Sequence, residues 1–535
     1  MGTYLNPGNK GFQKILQSEY VDKTGLIALI NKTIGTTGML TCISRPRRFG
    51  KSYATKMLCA YYDCSCDSQG LFDDKEVART PGYLAHLNQY HVINLDITGF
   101  ISETKRQRKP LADVPDRIVE AVHKELMDIF PKLSAGESLM DDLIRCVKET
   151  DREFVFIIDE WDALIREAKG DEEIQSAYLN LLREWFKNNN FTPNVVAAAY
   201  MTGILPIKKD GSQSAISDFK EYTILNPGRF AEYTGFTESD VRVLCGKYEM
   251  DFGEVRQWYD GYDFPGYGAV YNPYSVMCVM QDQKCRSYWQ KTSAAESLMT
   301  YINMDFEGLQ ETISRLISGE EIEVDTESFE NDFETFRSRD DVLTLLIHLG
   351  YLTWNEEDGT VRIPNEEVRG EFRKILKGTN ANRTWLELIS RSRKLLEDTL
   401  AGDGEAVATA IEAIRDTQYA PTFYNNEQAL RYVIKFAYIA AIDQYLKVEE
   451  LPSGKGIADV VYLPKRNSLL PALVVELKWN GSSEGANNCS AIRQIRERNY
   501  PAVLEKYGGE VVMAGIHYDA KTKVHSCLIE RTQDL

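Results

Sequence analysis

Two groups of residues in this chain have the types and spacing to act on phosphate. The first is Gly50-Lys51-Ser52 in "SRPRRFGKSYATKML", followed downstream by Asp159-Glu160 at the end of the apolar run "FVFIIDE". A phosphate-binding loop needs backbone N–H groups converging at a helix N-terminus, a lysine for the terminal phosphates and a hydroxyl for a magnesium ion. Gly50, Lys51 and Ser52 supply that end of the motif, but Arg45 stands where its first glycine usually lies, with Pro46 beside it. Three residues of this kind also occur in ordinary surface loops. The acidic pair shifts the weight, because a buried strand can deliver Asp159 to the same ion and Glu160 to an attacking water. The expected ligands are ATP and Mg2+. Arg45, Arg48, Gly50, Lys51, Ser52, Asp159 and Thr202 are the expected binding residues, with Ser52 and Asp159 on the metal and Glu160 as catalytic base. Thr202, in "AYMTGI", suits either a polar sensor position or plain core packing. Arg45, Arg47 and Arg48 have no acidic neighbour in the loop. Some are therefore expected to face nucleotide phosphates, and others a neighbouring domain or nucleic acid.

The second group lies near the other end. "GKGIADVVYLP" is followed by "PALVVELKW", so that Asp459 and Glu476-x-Lys478 sit on successive strand-like runs. Phosphodiester hydrolysis needs one or two divalent cations, carboxylates to hold them, and a cation to position water or neutralise the transition state. Asp459 and Glu476 suit the metal, Mg2+ or Mn2+, and Lys478 suits the third role. A charged hairpin edge would look similar, and "ELK" is a common tripeptide. Yet Glu476 interrupts the apolar run "ALVV" where an uncharged residue would be usual. Glu427, opening the preceding helical pattern, could add a carboxylate, and Gln494 and Tyr500 lie on a following helix.

These residues need elements to carry them. "GLIALINKTIG" and "YATKMLCAYYD" have helical periodicity, whereas "GMLTCIS", "YHVINLDIT", "FVFIIDE" and "NVVAAAYMTGI" read as short buried strands. Apolar strands alternating with helices point to an α/β layered fold with a mainly parallel sheet. "WYDGYDF" and "YNPYSV" carry turn signals and are expected to form a helical or mixed lid. A mostly helical stretch follows, with one hairpin around Asp358-Gly359 in "GYLTWNEEDGTVRI". Then come a long apolar-faced helix, "EQALRYVIKFAYIAAIDQYL", and the strands "IADVVYLP", "ALVVELKW", "EVVMAGIHY" and "VHSCLIER", with the helix "AIRQIRERNYPAVLEKYG" among them.

At 535 residues the chain has room for several domains. It is 27% charged, with a net charge of −18. That balance disfavours coating nucleic acid by bulk electrostatics, but not a local basic groove or a metal-bridged site. The charge is uneven: Arg45 to Lys56 holds no acid, and Asp305 to Asp341 is dominated by Asp and Glu. The ten cysteines are scattered apart from Cys64 and Cys66, so neither a zinc site nor a disulfide framework is expected. No apolar run approaches a membrane span and the N-terminus lacks a signal-peptide pattern. A cytoplasmic protein is expected.

In order along the chain, "YVDKTGLI", "RPRRFGKS", "IIDEWDAL", "MTGI", "WYDGYDF" and "YNPYSV" resemble the bacterial AAA-ATPase-like family, over about residues 6–293. In that family RPRRFGKS is the usual phosphate loop; Trp161 stands where tyrosine is frequent. The resemblance implies a P-loop NTPase fold. From about residue 391 to 531, the order of helix glutamate, Asp, Glu-x-Lys and a helix with Gln and Tyr resembles the PD-(D/E)XK nuclease superfamily, with Ala458 in place of the motif's proline. The implied division is an AAA-ATPase-like domain with lid at 1–293, a helical connector at 294–390 and a restriction-endonuclease-like α/β domain at 391–535. The implied function is an ATPase module that regulates or powers a nuclease. Its expected partner is nucleic acid, DNA before RNA, with no membrane and with homo-oligomerisation left open. Bacterial defence or mobile-element biology is the setting suggested by analogy. The alternative is a nucleotide-dependent switch whose nuclease-like domain only binds nucleic acid or a protein.

Overall fold

The computed structural model describes residues 2–133, 136–207, 216–264, 266–289, 308–327, 329, 336, 338–376, 383–418, 434, 437–438, 441, 444–453, 456–464, 470–480, 488–497 and 510–532. The chain divides into two compact units: residues 1–301 with 323–371, and residues 302–322 with 372–535. The stretch read as a connector is thus shared between the two. Among the described residues no helix is long and apolar enough to cross a membrane.

The first unit is built on five strands: β1 (Leu40–Ser44), β2 (His91–Asp96), β3 (Phe154–Asp159), β4 (Val196–Gly203) and β5 (Lys220–Tyr222). They are ordered β2-β3-β4-β1-β5, and every neighbouring pair is parallel. β1 and β4 are buried along their whole length, as expected of a parallel sheet covered on both faces. The strand period of two divides each strand between two cores. On β3, Phe154, Phe156 and Ile158 pack with Trp185 and Phe186, whereas Val155 and Ile157 pack with Met57, Leu58 and Tyr61. Met57, Leu58 and Tyr61 lie on the helix Lys51–Tyr62, which starts directly after the loop that follows β1.

The aromatic segment beyond this sheet is mixed, as expected. Strands β6 (Phe236–Thr237), β7 (Tyr262–Phe264) and β8 (Gly268–Tyr271) form an antiparallel sheet in the order β6-β8-β7. The helices Glu238–Tyr248, Phe252–Tyr259 and Pro273–Asp282 pack with it. "WYDGYDF" turns at Gly261, whose φ is +114°; a Cβ there would lie 1.9 Å from the Pro364 carbonyl oxygen, so only glycine fits. "YNPYSV" starts a helix: the Asn272 side chain accepts the N–H groups of Tyr274 and Ser275, and Pro273 takes the first helical position. A two-residue strand β9 (Ile322–Glu323) marks the division between the units. The expected hairpin follows as β10 (Thr353–Asn355) and β11 (Thr360–Arg362), paired antiparallel.

The second unit holds a five-stranded sheet in sequential order: β12 (Tyr445–Ser453), β13 (Gly456–Pro464), β14 (Ala472–Asn480), β15 (Val511–Asp519) and β16 (Val524–Thr532). All neighbours are antiparallel except β14 and β15. One face carries Leu473, Val475, Leu477 and Ile516 against Leu395 and Ile411 of the helices Arg383–Ala401 and Gly404–Gln418. The other carries Val474, Val511 and Met513 against Ile492 and Ile495 of the helix Asn488–Glu497.

Candidate functional site

The loop after β1 converges with the ends of β3 and β4. Arg48 and Gly50 hold φ of +72° and +84°, which lets the chain turn sharply into the helix. Lys51 is buried, with Nζ 3.0 Å from the Arg45 carbonyl oxygen, 3.1 Å from that of Pro46 and 3.2 Å from Glu160 Oε1. The Asp159 carboxylate accepts from Thr202 Oγ1 and has the exposed Ser52 hydroxyl nearby. Burial raises the Asp159 pKa, against the lowering effect of those two hydroxyls and Lys51. Glu160 has a left-handed backbone, φ +52°, a strained conformation for a residue with a side chain. Burial pushes its pKa up, but Lys51 and Arg166 outweigh burial and hold the carboxyl below its usual value. The Ser52 and Asp159 oxygens offer a donor set suited to a hard Mg2+ ion.

These residues border a cavity of about 770 Å3. Arg47, Arg48, Gly50, Lys51, Ser52, Glu160 and Arg166 line one part; Tyr20, Val21, Met57, Phe236 and Met277 line an apolar part. The combination of a charged rim and an apolar chamber suits a phosphorylated ligand with a flat organic group. The sequence reading missed the apolar residues, which come from four separate stretches. It also missed Arg166, whose one local signal is its helical i,i+4 spacing from Asp162.

Arg45 corrects an expectation. Its side chain is fully buried and does not line the cavity. Nε donates to Thr234 Oγ1, Nη1 donates to the Ser44 and Tyr222 carbonyls, and the guanidinium lies 5.1 Å from the centre of the Phe264 ring. With Nε and Nη1 committed behind the loop and Nη2 buried without a partner among the described residues, Arg45 is a strut and not a phosphate ligand. Burial lowers its pKa to about 9, which leaves it charged at neutral pH. Thr202 likewise stays out of the cavity and acts through Asp159. Arg48 does line the cavity, stacked 4.3 Å from the Tyr274 ring and donating to the Tyr288 carbonyl.

The remaining struts come from the aromatic motifs. Phe49 is buried edge-on against Tyr262 at 5.2 Å, and Asn272 Nδ2 donates to the Arg47 carbonyl. "WYDGYDF" and "YNPYSV" therefore hold the phosphate loop in shape.

In the second unit, strand register carries the geometry. Val460 pairs with Val475 at the last paired step of the hairpin, and Asp459 and Glu476 are the next residues on the two strands. On the other side Glu476 pairs with Gly515 and Lys478 with His517. Glu476 and Lys478 continue the alternation of Val474, and His517 that of Met513, so all three lie on the face packed by the helix Asn488–Glu497. Glu476 is 1% exposed, with Oε1 3.5 Å from Lys478 Nζ. The sequence reading missed His517, which is buried, has no partner for Nε2 among the described residues, and has its pKa lowered by burial. Only the backbone of Asp459 and Gln494 is described; Glu427 and Tyr500 lie outside the described residues. Among the described residues no group of three His, Cys, Asp or Glu is placed to hold a metal ion.

The AAA-ATPase-like family, described as a predicted AAA-ATPase, matches residues 8–212. That span includes the phosphate loop, "IIDEWDAL" and "MTGI", and ends before the two aromatic motifs. The N-terminal unit thus carries an AAA-ATPase-like domain in a P-loop NTPase-like fold, with a five-stranded parallel sheet. The chain is 22% identical over 539 residues, covering 96% of both chains, to an uncharacterized protein of the vnfD 5' region of Azotobacter chroococcum mcd 1. Among solved structures it is similar to the ORC2 protein of Aeropyrum pernix (ADPNP-ADP complexes), with 10% identity over 67% of this chain and 96% of that one, and a TM-score of 0.28. For the ORC1 protein of the same organism, in complex with DNA, the values are 8%, 70%, 97% and 0.25.

Proposed function

We propose that the chain is an ATP-hydrolysing protein whose N-terminal unit controls or powers a metal-dependent nuclease in its C-terminal unit. The observation that carries the first half is the ion pair of Lys51 with Glu160 at a cavity that Ser52 also lines, with Asp159 the residue before Glu160, from stretches distant in sequence. Gly50 and the start of the helix Lys51–Tyr62 offer backbone N–H groups to phosphate, and Lys51 exchanges the neutral carbonyls of Arg45 and Pro46 for phosphate oxygens. Ser52 and Asp159 hold Mg2+, which when bound neutralises charge on the phosphates. Glu160 accepts the proton of the attacking water.

The second half rests on the Asp459, Glu476 and Lys478 positions meeting at one end of a hairpin. Asp459 and Glu476 would hold Mg2+ or Mn2+, which activates water and offsets phosphate charge, while Lys478 orients the water. Gln494, on the helix over this face, and Glu427 are the proposed accessories. The proposed substrate is nucleic acid, DNA first, and a homo-oligomer is compatible with this reading.

The test incubates plasmid and single-stranded DNA with Mg2+ or Mn2+, with and without ATP, for the wild type and Lys478→Ala. Metal-dependent cleavage by the wild type alone supports the nuclease. ATP binding with no cleavage in any condition makes the chain a nucleotide-dependent switch. Phosphate release by the wild type against Glu160→Gln tests hydrolysis separately.

A further inference from the structure

The two oxygens of the Glu160 carboxylate have different partners. Oε1 lies 3.2 Å from Lys51 Nζ, on the phosphate side, and Oε2 lies 2.7 Å from Arg166 Nη2, on the helix Ala163–Glu167. Those two cations are not equally anchored. Lys51 is otherwise held by two neutral carbonyl oxygens of the loop. A polyanion displaces such partners, since its charge adds a Coulomb attraction to the ammonium that neutral carbonyls lack. Arg166 is held at Nε by Asp162 Oδ2 at 3.0 Å. Asp162 is 1% exposed, and the same oxygen accepts the N–H groups of Ile204 and Leu205, just after β4. Arg166 is therefore fixed from two strand ends.

We infer that Arg166 is the positioning residue for Glu160: it keeps Oε2 when Lys51 transfers to the phosphates, and so presents Oε1 to the attacking water. The backbone supports this arrangement, because the Glu160 N–H bonds Thr202 Oγ1 at 3.4 Å and the Trp161 N–H bonds the Thr202 carbonyl. Only the carboxylate end needs holding. In the step served, Oε1 takes a water proton while the water oxygen bonds to the γ-phosphorus. The bond from that phosphorus to the β–γ bridging oxygen breaks, and ADP departs with the electron pair. The other charged groups that face Glu160 are Asp159 on β3 and Arg47 in the loop.

This inference rests on the ATPase reading, and one set of variants separates the two. ATP affinity and phosphate release are measured for the wild type, Arg166→Ala, Arg166→Lys, Glu160→Gln and the double variant Glu160→Gln/Arg166→Ala, with thermal unfolding as the control for folding. Arg166→Ala should lower kcat about 10- to 100-fold and leave the Kd for ATP within about threefold. Lysine should recover part of the rate. In the Glu160→Gln background the alanine should add almost nothing, because a residue acting through Glu160 has no carboxylate left to position. An unchanged kcat, a parallel rise in Kd, or losses that multiply in the double variant would each overturn the inference. If Arg166→Ala fails to fold, Arg166→Lys with a full wild-type rate and unchanged Kd overturns it instead. If the wild type binds ATP and releases no phosphate, the hydrolysis reading falls and takes this inference with it. If the wild type turns over and Arg166→Ala matches it, only the inference falls.

Discussion

The two candidate sites are assembled by opposite means. At the phosphate loop the charged groups form a closed network, Lys51 to Glu160 to Arg166 to Asp162, braced from behind by Thr234, Tyr262 and Asn272. At the C-terminal sheet, Glu476, Lys478 and His517 share a face because strand register puts them there. The first site depends on contacts between segments far apart in the chain, and the second on pairing between neighbouring strands. Damage to the loop's braces should therefore spread through its unit, whereas damage on the sheet face should stay local.

The largest expected effects test the independence of the two chemistries. Lys51→Ala should lower ATP hydrolysis about a thousandfold, since Lys51 Nζ already lies 3.2 Å from Glu160 Oε1 at the cavity. Lys478→Ala should remove metal-dependent cleavage, by about 100-fold or more, with ATP affinity unchanged. A nuclease-dead Lys478→Ala that also lost ATP binding would break the comparison.

Next in size is Arg45→Gly, which restores the usual glycine of the loop. It should not improve the site. It removes the hydrogen bonds to Thr234, Ser44 and Tyr222 and leaves a cavity, so it should destabilise the first unit by about 2–4 kcal/mol. The unfolding transition of the second unit should be unmoved. A gain in nucleotide affinity without loss of stability would show that Arg45 is no strut.

Glu367 probes the same bracing through pH. It is 1% exposed and accepts the Tyr288 N–H at 2.7 Å, the residue whose carbonyl holds Arg48. Burial raises its pKa to about 7, from 4.5. The folded state then binds this proton more tightly than the unfolded one. Its contribution is full below about pH 4.5 and is lost as pH rises to about 7, amounting to at most about 3 kcal/mol. Glu367→Gln should flatten that slope in thermal unfolding of the first unit; an unaltered slope would assign the pH dependence elsewhere. The smallest effect is expected for Tyr274→Leu, which removes the ring under Arg48 and should weaken ATP binding by about 1 kcal/mol, measured by calorimetry.

Much of the scaffold was legible in advance. β1 to β4 appear where buried apolar runs predicted them, as do β13 to β16 and the hairpin β10–β11. Gly50-Lys51-Ser52 begins a helix after a strand, and Asp159-Glu160 ends one. The apolar chamber was not legible, because Tyr20, Met57, Phe236 and Met277 share no local spacing. His517 was equally hidden: it enters the site only through the parallel pairing of β14 with β15.

By itself, then, the sequence determined which segments are strands and helices and which residues have the types suited to phosphate chemistry. Both follow from local periodicity and from residue type. Tertiary structure decided the direction of each loop side chain and the partner of each charge. Arg45 and Arg48 are both arginines of one loop, yet one is buried against Thr234 and Phe264 and the other faces the cavity. No local pattern distinguishes them, since the partners that separate them, Thr234, Tyr222 and Tyr288, lie 177 to 240 positions away. Glu160 combines both: its type suits a base, but its carboxylate lies between Lys51, distant in sequence, and Arg166, six positions on.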